Sequence, residues 1–318
     1  GDTLLALKAL ERRFAGKIKC IYIDPPFNTG NAFEYYDDGL EHTIWLSLMK
    51  ARLEALKTLL TSDGSIYFHL DATEVHYGKV LMDEIFGRSC FQREIIWRIG
   101  WISGFKTRAS NYIRNHDTIL FYTKHPTQFL FNKQYIPYPE GYRRRDGSEP
   151  KGQGYPLEDT WNCSEIDRLD SIQIMSFSGE KTGFITQKNE NLVARIIQSS
   201  SNEGDWVMDS FLGSGTTVAA AHKLRRRWIG VELSDQAETF ALPRLKRVAN
   251  GEDQTGISKQ VGWKGGGGFR YCVLGESLFA KDEDTGLVMI NPKYTNGPLV
   301  AAVCNLEDFH LNDDSLFN

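Results

Sequence analysis

The stretch IYIDPPFNTG, residues 21–30, runs from apolar residues directly into an acid, two prolines and an aromatic ring. Proline fixes φ, lacks an N–H group and restricts the residue before it to extended conformations. The sequence therefore predicts a buried strand that ends at Asp24, followed by a rigid segment that presents a carboxylate and bare carbonyl groups. Such an acceptor-only site suits a substrate that brings N–H donors.

Predicted strands and helices alternate outward from this stretch. The strands are expected at 17–24, 65–71, 94–99, 117–123, 205–210 and 227–233, and the helices at 2–14, 43–60, 72–87, 189–201, 216–224 and 234–250, the last with Ser234 as N-cap. This alternation is typical of an α/β fold with a doubly wound, mostly parallel sheet. Ligands bind such sheets at the carboxyl ends of the strands.

A second strand end carries the pattern VMDSFLGSGTT, residues 207–217. Glycines let a bound molecule approach the backbone, and the amide groups at the start of the following helix are free to bind it. No Lys follows Gly215, which disfavours a phosphate loop, and Glu232 lies 23 residues after Asp209, where a ribose diol is held in nucleoside sites. S-adenosylmethionine, a nucleoside without an extended phosphate, fits both features. A simple turn before a helix is the alternative interpretation of the two glycines.

The rigid acid at the first strand end fits the exocyclic amino group of a nucleobase. If Asp24 and the Pro25 carbonyl accept both amino hydrogens, the nitrogen lone pair is drawn out of conjugation, and the carboxylate opposes the charge that develops on alkylation. Phe27 would stack on a base extruded from the duplex. A strand-ending turn without a catalytic role is the alternative, and the second motif favours the catalytic interpretation.

Charge is unevenly distributed along the chain. The net charge is −4, but residues 88–145 hold eleven Lys or Arg against three acids, and residues 252–318 hold five against ten. Aromatic residues are interleaved with the basic ones: Trp97, Trp101, Phe105, Tyr112 and Tyr142. Basic side chains bind phosphates and aromatic rings stack on bases, so this pattern indicates a nucleic-acid-binding groove. A solvated basic surface is the competing interpretation.

Other patterns exclude several classes of protein. Five scattered cysteines without a C-x-x-C pair favour neither zinc nor a disulfide framework, and indicate a reducing cytoplasm. His69 and Asp71 could pass for a metal pair, but their period-two spacing on a strand favours a structural role, so no metal is expected. No apolar run approaches the roughly 20 residues that span a membrane.

The two motifs together resemble the permuted amino-group DNA methyltransferases of bacterial restriction-modification systems. DPPF resembles their catalytic motif, DSFLGSGTT their cofactor loop, and KTGFITQKNENLVARII (181–197) the segment before the cofactor strand. This motif order is similar to the beta class, and GKIKCIYIDPPFNTGN with the GGGGFRY tail is similar to type III modification subunits. The resemblance implies a circularly permuted, Rossmann-like S-adenosylmethionine-dependent methyltransferase fold. The Asp-first motif is similar to adenine-N6 enzymes, whereas cytosine-N4 members usually carry Ser.

The resemblance also implies roles for individual residues. Catalysis is assigned to Asp24, Pro25, Pro26 and Phe27, and cofactor binding to Asp2, Thr186, Gln187, Lys188, Asp209, Phe211, Gly213, Ser214, Gly215, Thr216 and Glu232. DNA contacts are predicted at Arg98, Lys106, Arg108, Arg143, Arg144 and Arg145. Two positions depart from the family, since Ser210 and Asn189 stand where Pro is usual.

The predicted organisation follows from these assignments. Residues 1–124 form the catalytic half, 125–180 a small target-recognition insertion, 181–250 the cofactor-binding half and 251–318 a C-terminal extension. The predicted function is S-adenosylmethionine-dependent methylation of adenine N6 in double-stranded DNA, by base flipping and direct transfer. The alternatives are a cytosine-N4 methyltransferase, a catalytically silent recognition subunit and a dinucleotide-dependent oxidoreductase, which would lack its third glycine at Val218. A homodimer and a restriction subunit are the expected partners.

Overall fold

The computed structural model describes residues 2–28, 32–33, 36–37, 41–98, 110–161, 178–233, 235–282 and 285–307. The chain divides into two compact units, Gly1–Tyr271 and Cys272–Asn318. The helices are α1 (Thr3–Phe14), α2 (His42–Leu59), α3 (Val75–Phe86), α4 (Glu190–Ser200), α5 (Thr216–Lys223), α6 (Leu242–Asn250), α7 (Ser258–Val261) and α8 (Asn296–Glu307).

The strands are β1 (Ile18–Ile23), β2 (Ala32–Phe33), β3 (Tyr36–Asp37), β4 (Leu60–Leu70), β5 (Phe91–Arg98), β6 (His116–Thr123), β7 (Tyr135–Ile136), β8 (Tyr155–Pro156), β9 (Thr160–Trp161), β10 (Trp206–Asp209), β11 (Arg227–Gly230), β12 (Phe279–Lys281) and β13 (Val288–Ile290). Seven of them form the main sheet in the order β11-β10-β1-β4-β6-β5-β9. Only β6 runs antiparallel to its neighbours, which confirms the predicted mostly parallel α/β sheet.

Strand β1 is buried on both faces, as its continuous apolar sequence predicts. Ile21 and Ile23 pack in a core with α1, α2 and α3, whereas Cys20 and Tyr22 pack in a second core with α4 and α5. Each fully buried aliphatic side chain contributes roughly 1.5–3 kcal/mol to such cores. Helices therefore cover both faces of the sheet.

The strand register brings the two motifs together. Strand β1 pairs in parallel with β10, with Ile21 opposite Met208. Parallel strands end at the same edge of a sheet, so Asp24 and Asp209 follow two adjacent strand ends. Residues nearly two hundred positions apart in the sequence thus open onto one edge, as the ligand-site rule for such sheets predicts.

Several boundaries differ from the sequence prediction. The residues Thr61–Gly64, expected to stop α2 as a turn, lie inside β4, where the pairing jumps from Ile18–Leu60 to Cys20–Ser65. They form an irregular excursion that lengthens the strand. Strand β11 ends at Gly230, so Glu232 follows the strand rather than closing it.

The ranges 125–180 and 251–318, where no strand or helix was predicted, contain ordered elements. Strand β9 joins the edge of the main sheet beside β5, and β7 and β8 form a small antiparallel pair. The first part of the predicted extension, up to Tyr271, belongs to the first unit. There it is bonded to α6, since Gly266 N donates to Ala249 O at 2.8 Å and Trp263 Nε1 donates to Val248 O at 2.9 Å. The second unit contains the β12–β13 hairpin and α8, a helix that the sequence prediction missed.

The predicted N-cap Ser234 lies outside the described residues. After it, the chain forms a π-helical segment, Ala237–Ala241, that leads into α6. None of the helices in the described ranges is long and apolar enough to cross a membrane.

Candidate active site

A cavity of about 380 Å³ lies at the carboxyl ends of β1 and β10. Both motifs line it, and α2 contributes a further wall that includes Trp45, Met49 and Arg52. The volume is typical of small-molecule sites. The residues of the two motifs on its surface are Asp24, Pro25, Pro26, Phe27, Asp209, Ser210, Phe211, Leu212, Gly213, Ser214, Thr216 and Thr217.

Asp24 is the acid at the centre of this cavity. One carboxylate oxygen, Oδ2, forms an ion pair with the ammonium of Lys188. The other, Oδ1, is buried and accepts no hydrogen bond from the residues that the structure describes. A buried acceptor without a partner is costly, so Oδ1 is poised to accept a donor from a ligand.

The segment after Asp24 is held by neighbouring side chains. Trp45 Nε1 donates to the Pro26 carbonyl at 2.9 Å, which fixes the backbone of the proline pair. The Lys188 ammonium lies 5.2 Å from the centroid of the Phe27 ring, and the His69 ring lies 5.7 Å from it. Phe27 is thus a ring in the cavity wall, beside Asp24.

Glu74 contacts Asn28, the residue after Phe27, a role that the sequence analysis missed. Asn28 has a left-handed φ of 58° and donates from Nδ2 to Glu74 Oε1 at 2.7 Å. His42 Nδ1 lies 2.8 Å from Glu74 Oε2. The only sequence signal was an acid three residues after the end of the predicted strand 65–71, which by itself indicates no partner.

The loop between β10 and α5, residues 210–215 and called here the glycine loop, forms another wall of the cavity. Gly213 has φ 50°, and a Cβ there would lie 3.1 Å from the Phe184 ring. Its N–H donates to Glu232 Oε2 at 2.7 Å, and Leu233 N donates to Glu232 Oε1 at 2.9 Å. Glu232 is thereby fixed against the loop.

The segment before α4 also lines the cavity, with Phe184, Thr186, Gln187 and Lys188. Thr216 Oγ1 donates to the Lys188 carbonyl at 3.0 Å, which joins this segment to the start of α5. The Gln187 amide is used within its own loop, accepting from Thr182 N and donating to Glu180 O, both at 2.8 Å. Lys188 lines the cavity and directs its ammonium to Asp24, and its predicted part in cofactor binding stays a prediction.

Two of the predicted cofactor residues do not line the cavity: Gly215, which turns the chain with φ 80°, and Asp2. The Asp2 carboxylate caps α1 by accepting from Leu4 N at 2.8 Å and pairs with Arg52 Nη2 at 3.1 Å. Arg52 does line the cavity, so Asp2 is one contact removed from it.

The predicted DNA-binding residues are dispersed. Arg98 is exposed at the end of β5, and Arg143, also exposed, lies 3.5 Å from Glu149 in the loop that includes Arg144 and Arg145. Lys106 and Arg108 lie outside the described residues, as do Trp101 and Phe105. Their contact with DNA stays a prediction.

The described aromatic residues of the basic region differ in their availability. Trp97 is fully buried beside His69, so it cannot stack on a base as expected. Tyr142 stacks on Tyr138, with ring centroids 5.0 Å apart, and Tyr112 is fully exposed. In the part of the chain that the structure describes, no group of His, Cys, Asp or Glu side chains is arranged to hold a metal.

The pKa of the Asp209 carboxyl group is raised in the folded protein, which leads to a testable pH dependence of stability. Burial raises its pKa to about 7, and the charges of Asp24 and Glu232 add to this, although hydrogen bonds from Thr217 and the Phe211 amide act in the opposite direction. The folded state therefore keeps a proton that the unfolded chain loses near pH 4. The free energy of unfolding should fall as pH rises from about 4 to about 7 and then level off.

Between about pH 4 and 7, the free energy of unfolding of Asp209→Asn should fall less than that of the parent. Urea denaturation at a series of pH values measures the difference. Part of the fall should persist, because burial and the charge of Glu190 also raise the pKa of Glu180 to about 7. Identical pH profiles for the parent and the variant would contradict the assignment.

The chain resembles known proteins in sequence. The model of a protein family described as DNA methylase matches residues 18–242, which include both motifs. The "Probable type III restriction-modification enzyme HindVI Mod subunit" of Haemophilus influenzae is 31% identical, over 86% of this chain and 53% of its own length. "Type II methyltransferase M.HpaI" of Haemophilus parainfluenzae is 32% identical, over 78% of this chain and 74% of its own. The chain thus spans about half the length of the first of these relatives.

Solved structures show the same fold. The M1.HpyAVI–SAM complex matches with a TM-score of 0.53 at 22% identity, over 77% of this chain and 96% of that one. PvuII DNA methyltransferase (cytosine-N4-specific) matches with a TM-score of 0.51 at 17% identity, over 78% of this chain and 90% of that one. These likenesses confirm the predicted fold class.

Proposed function

Since the chain belongs to the DNA methylase family, we propose that it transfers the methyl group of S-adenosylmethionine to the N6 amino group of adenine in double-stranded DNA. The observation that carries this proposal is the shared cavity. Asp24 and the loop at Gly213 line one space at adjacent strand ends.

The residues that line the cavity fit the cofactor in their chemistry. Glu232 places a carboxylate on the cavity wall, suited to the ribose hydroxyls, and the lack of a side chain at Gly213 lets the loop pack closely against Phe184. Phe184 and Phe211 give apolar walls for a purine. Bound there, S-adenosylmethionine supplies an electrophilic methyl group. Thr186, Gln187, Ser214 and Thr216 are proposed to complete its binding site.

Asp24 acts on the amino group of the flipped base. Its carboxylate accepts an amino hydrogen, the Pro25 carbonyl accepts the other, and the negative charge opposes the charge that develops on nitrogen. Because Lys188 is paired with Asp24 Oδ2, the Oδ1 oxygen is the acceptor that remains for the base. Phe27 stacks on the base once it has left the duplex.

The proposal is tested by incubating the protein with tritiated S-adenosylmethionine and mixed-sequence duplex DNA, then digesting the DNA to nucleosides. Label is expected in N6-methyldeoxyadenosine. Label in N4-methyldeoxycytidine would establish the cytosine alternative, and DNA binding without label would establish a silent recognition subunit. Cytosine-N4 transfer is a real competitor, because the fold is shared with an enzyme of that specificity.

The partners and the domain roles are further parts of the proposal. Residues 125–180 read the DNA site, with Arg98 and the loop at 143–145 contacting phosphates. A restriction subunit is proposed as partner because the Haemophilus influenzae relative is named as a Mod subunit of a type III enzyme. The homodimer is proposed from the family resemblance alone.

A further inference from the structure

A row of buried polar groups crosses three neighbouring strands directly behind the cavity. The Tyr22 hydroxyl on β1 lies 2.7 Å from His69 Nδ1 on β4. His69 Nε2 lies 3.4 Å from Asp117 Oδ2 on β6, and Asp117 Oδ1 lies 3.1 Å from Arg114 Nη1. Tyr22, His69 and Asp117 are at most 2% exposed, and only Arg114 reaches the surface.

The stability of the core does not by itself explain this row. Replacing buried charged and polar groups by apolar residues of similar volume is often neutral or stabilising. The same strands pack apolar residues on either side, such as Ile23 and Ile119. A role connected with the adjacent cavity accounts for polar groups at this place.

The row joins a phenol, an imidazole and a carboxylate. Burial, together with the charges of Asp24, Asp209 and Asp117, raises the pKa of Tyr22 well above its usual value, so its phenol keeps its proton beside His69 Nδ1. The other ring nitrogen of His69, Nε2, faces Asp117. Burial alone would raise the pKa of Asp117, but His69 and Arg114 lower it overall, so Asp117 is an anion.

His69 is in contact with the catalytic segment from two sides. Its ring lies 5.7 Å from the Phe27 ring at an interplanar angle of 42°, and its Nδ1 holds Tyr22, which lines the cavity two residues before Asp24. The opposite neighbour of the imidazole is the buried ring of Trp97, at 5.6 Å. The imidazole therefore has little freedom to move, and Phe27 and Tyr22 rest against it.

We propose that His69 is a positioning residue for the methyl transfer. Packed against Trp97 and facing Asp117 at 3.4 Å, it fixes Tyr22 and the ring of Phe27, and through them the Asp24 carboxylate, in the geometry that the reaction needs. It is itself fully buried, so it acts through these neighbours rather than on the base. The inference rests on the proposed function, since it assigns a role within that reaction.

The test measures kcat and KM for methyl transfer in four variants. Tyr22→Phe and His69→Leu should each lower kcat by about tenfold to a hundredfold, as expected for a small displacement of reacting groups, with the cofactor KM unchanged. His69→Asn keeps a polar atom near Nδ1 and should retain more activity than His69→Leu. The double variant Tyr22→Phe/His69→Leu should be no slower than His69→Leu alone, because both changes break the same contact.

Tyr67→Phe is the matched control. Tyr67 pairs with Tyr22 in the sheet register, is equally buried and loses an equivalent hydroxyl contact, here to Ser200 Oγ at 2.7 Å, but it does not line the cavity. Its kcat should equal that of the parent. An equal loss in Tyr67→Phe and Tyr22→Phe, additive losses in the double variant, or an unchanged kcat in Tyr22→Phe would overturn the inference while the parent still methylates DNA. A parent that does not methylate DNA would overturn the proposed function and this inference with it.

Discussion

Asp24→Asn should lower the rate of methyl transfer by about 10²–10³-fold while the affinity for S-adenosylmethionine stays unchanged. The substitution keeps the size of the side chain but removes the charge that opposes the cation developing on the base nitrogen, a loss of the magnitude found for single electrostatic contacts in other active sites. It also replaces an acceptor oxygen by an N–H donor, which faces the amino group unfavourably. The backbone should stay in place, because two prolines and the Trp45–Pro26 hydrogen bond fix it.

The measurement is the single-turnover rate with labelled cofactor, alongside calorimetric titration of the cofactor. Asp63→Asn is the matched control, because Asp63 is also paired with a lysine, Lys19 Nζ at 2.6 Å, but does not line the cavity. Its rate should equal that of the parent. The role assigned to Asp24 is wrong if Asp24→Asn transfers methyl groups at the parent rate, or if its defect lies in cofactor affinity.

The sequence predicted the main features of the fold because they depend on local patterns. The apolar run before Asp24 and the one before Asp209 each specify a buried strand, and parallel strands necessarily end at one edge. The pattern therefore predicts that both motifs lie at one edge, whereas their meeting in a single cavity depends on β1 and β10 being neighbours in the sheet. The Thr61–Gly64 excursion was misread for the opposite reason, since turn-forming residues inside a strand look the same in sequence as a turn between elements.

Contacts between distant residues could not be predicted in the same way. Lys188 and Asp24 are 164 residues apart in the chain, and their ion pair depends on how the segment before α4 crosses the strand ends. His69 was interpreted as a structural residue from its period-two spacing with Asp71. Its actual partners, Tyr22 and Asp117, come from the two neighbouring strands, and no spacing within β4 indicates them.

Lys223→Met should cause the largest loss of stability, about 3–5 kcal/mol in the free energy of unfolding. The Lys223 ammonium is completely buried and lies 2.9 Å and 3.0 Å from the two Glu190 carboxylate oxygens, 3.3 Å from Asp253 and 3.0 Å from the Thr255 carbonyl. Removing it leaves two buried carboxylates with one cation fewer, and an uncompensated buried charge is costly. Urea denaturation near neutral pH measures the loss.

Lys8→Met is the matched control, because Lys8 pairs with Glu11 at 2.9 Å on the surface of α1. Exposed pairs of this kind contribute at most about 1 kcal/mol. If Lys223→Met lost no more stability than Lys8→Met, the buried cluster of Lys223, Glu190, Asp253 and Arg244 would not stabilise the packing of α4 and α5.

The Lys223 substitution should also weaken cofactor binding, because the cluster supports the cofactor loop. Glu190 accepts from Arg244 Nη2 at 2.8 Å, and the same guanidinium donates from Nη1 to Thr216 Oγ1 at 2.9 Å, at the start of α5 beside the cavity. When Lys223 is removed, Arg244 is the cation that remains beside Glu190. We expect the Arg244 guanidinium to shift toward Glu190, which weakens its hydrogen bond to Thr216 Oγ1. Calorimetry on the folded variant should therefore show weaker binding of S-adenosylmethionine than in the parent, whereas Lys8→Met should leave it unchanged. Unaltered cofactor affinity in folded Lys223→Met would restrict the cluster to a role in stability alone.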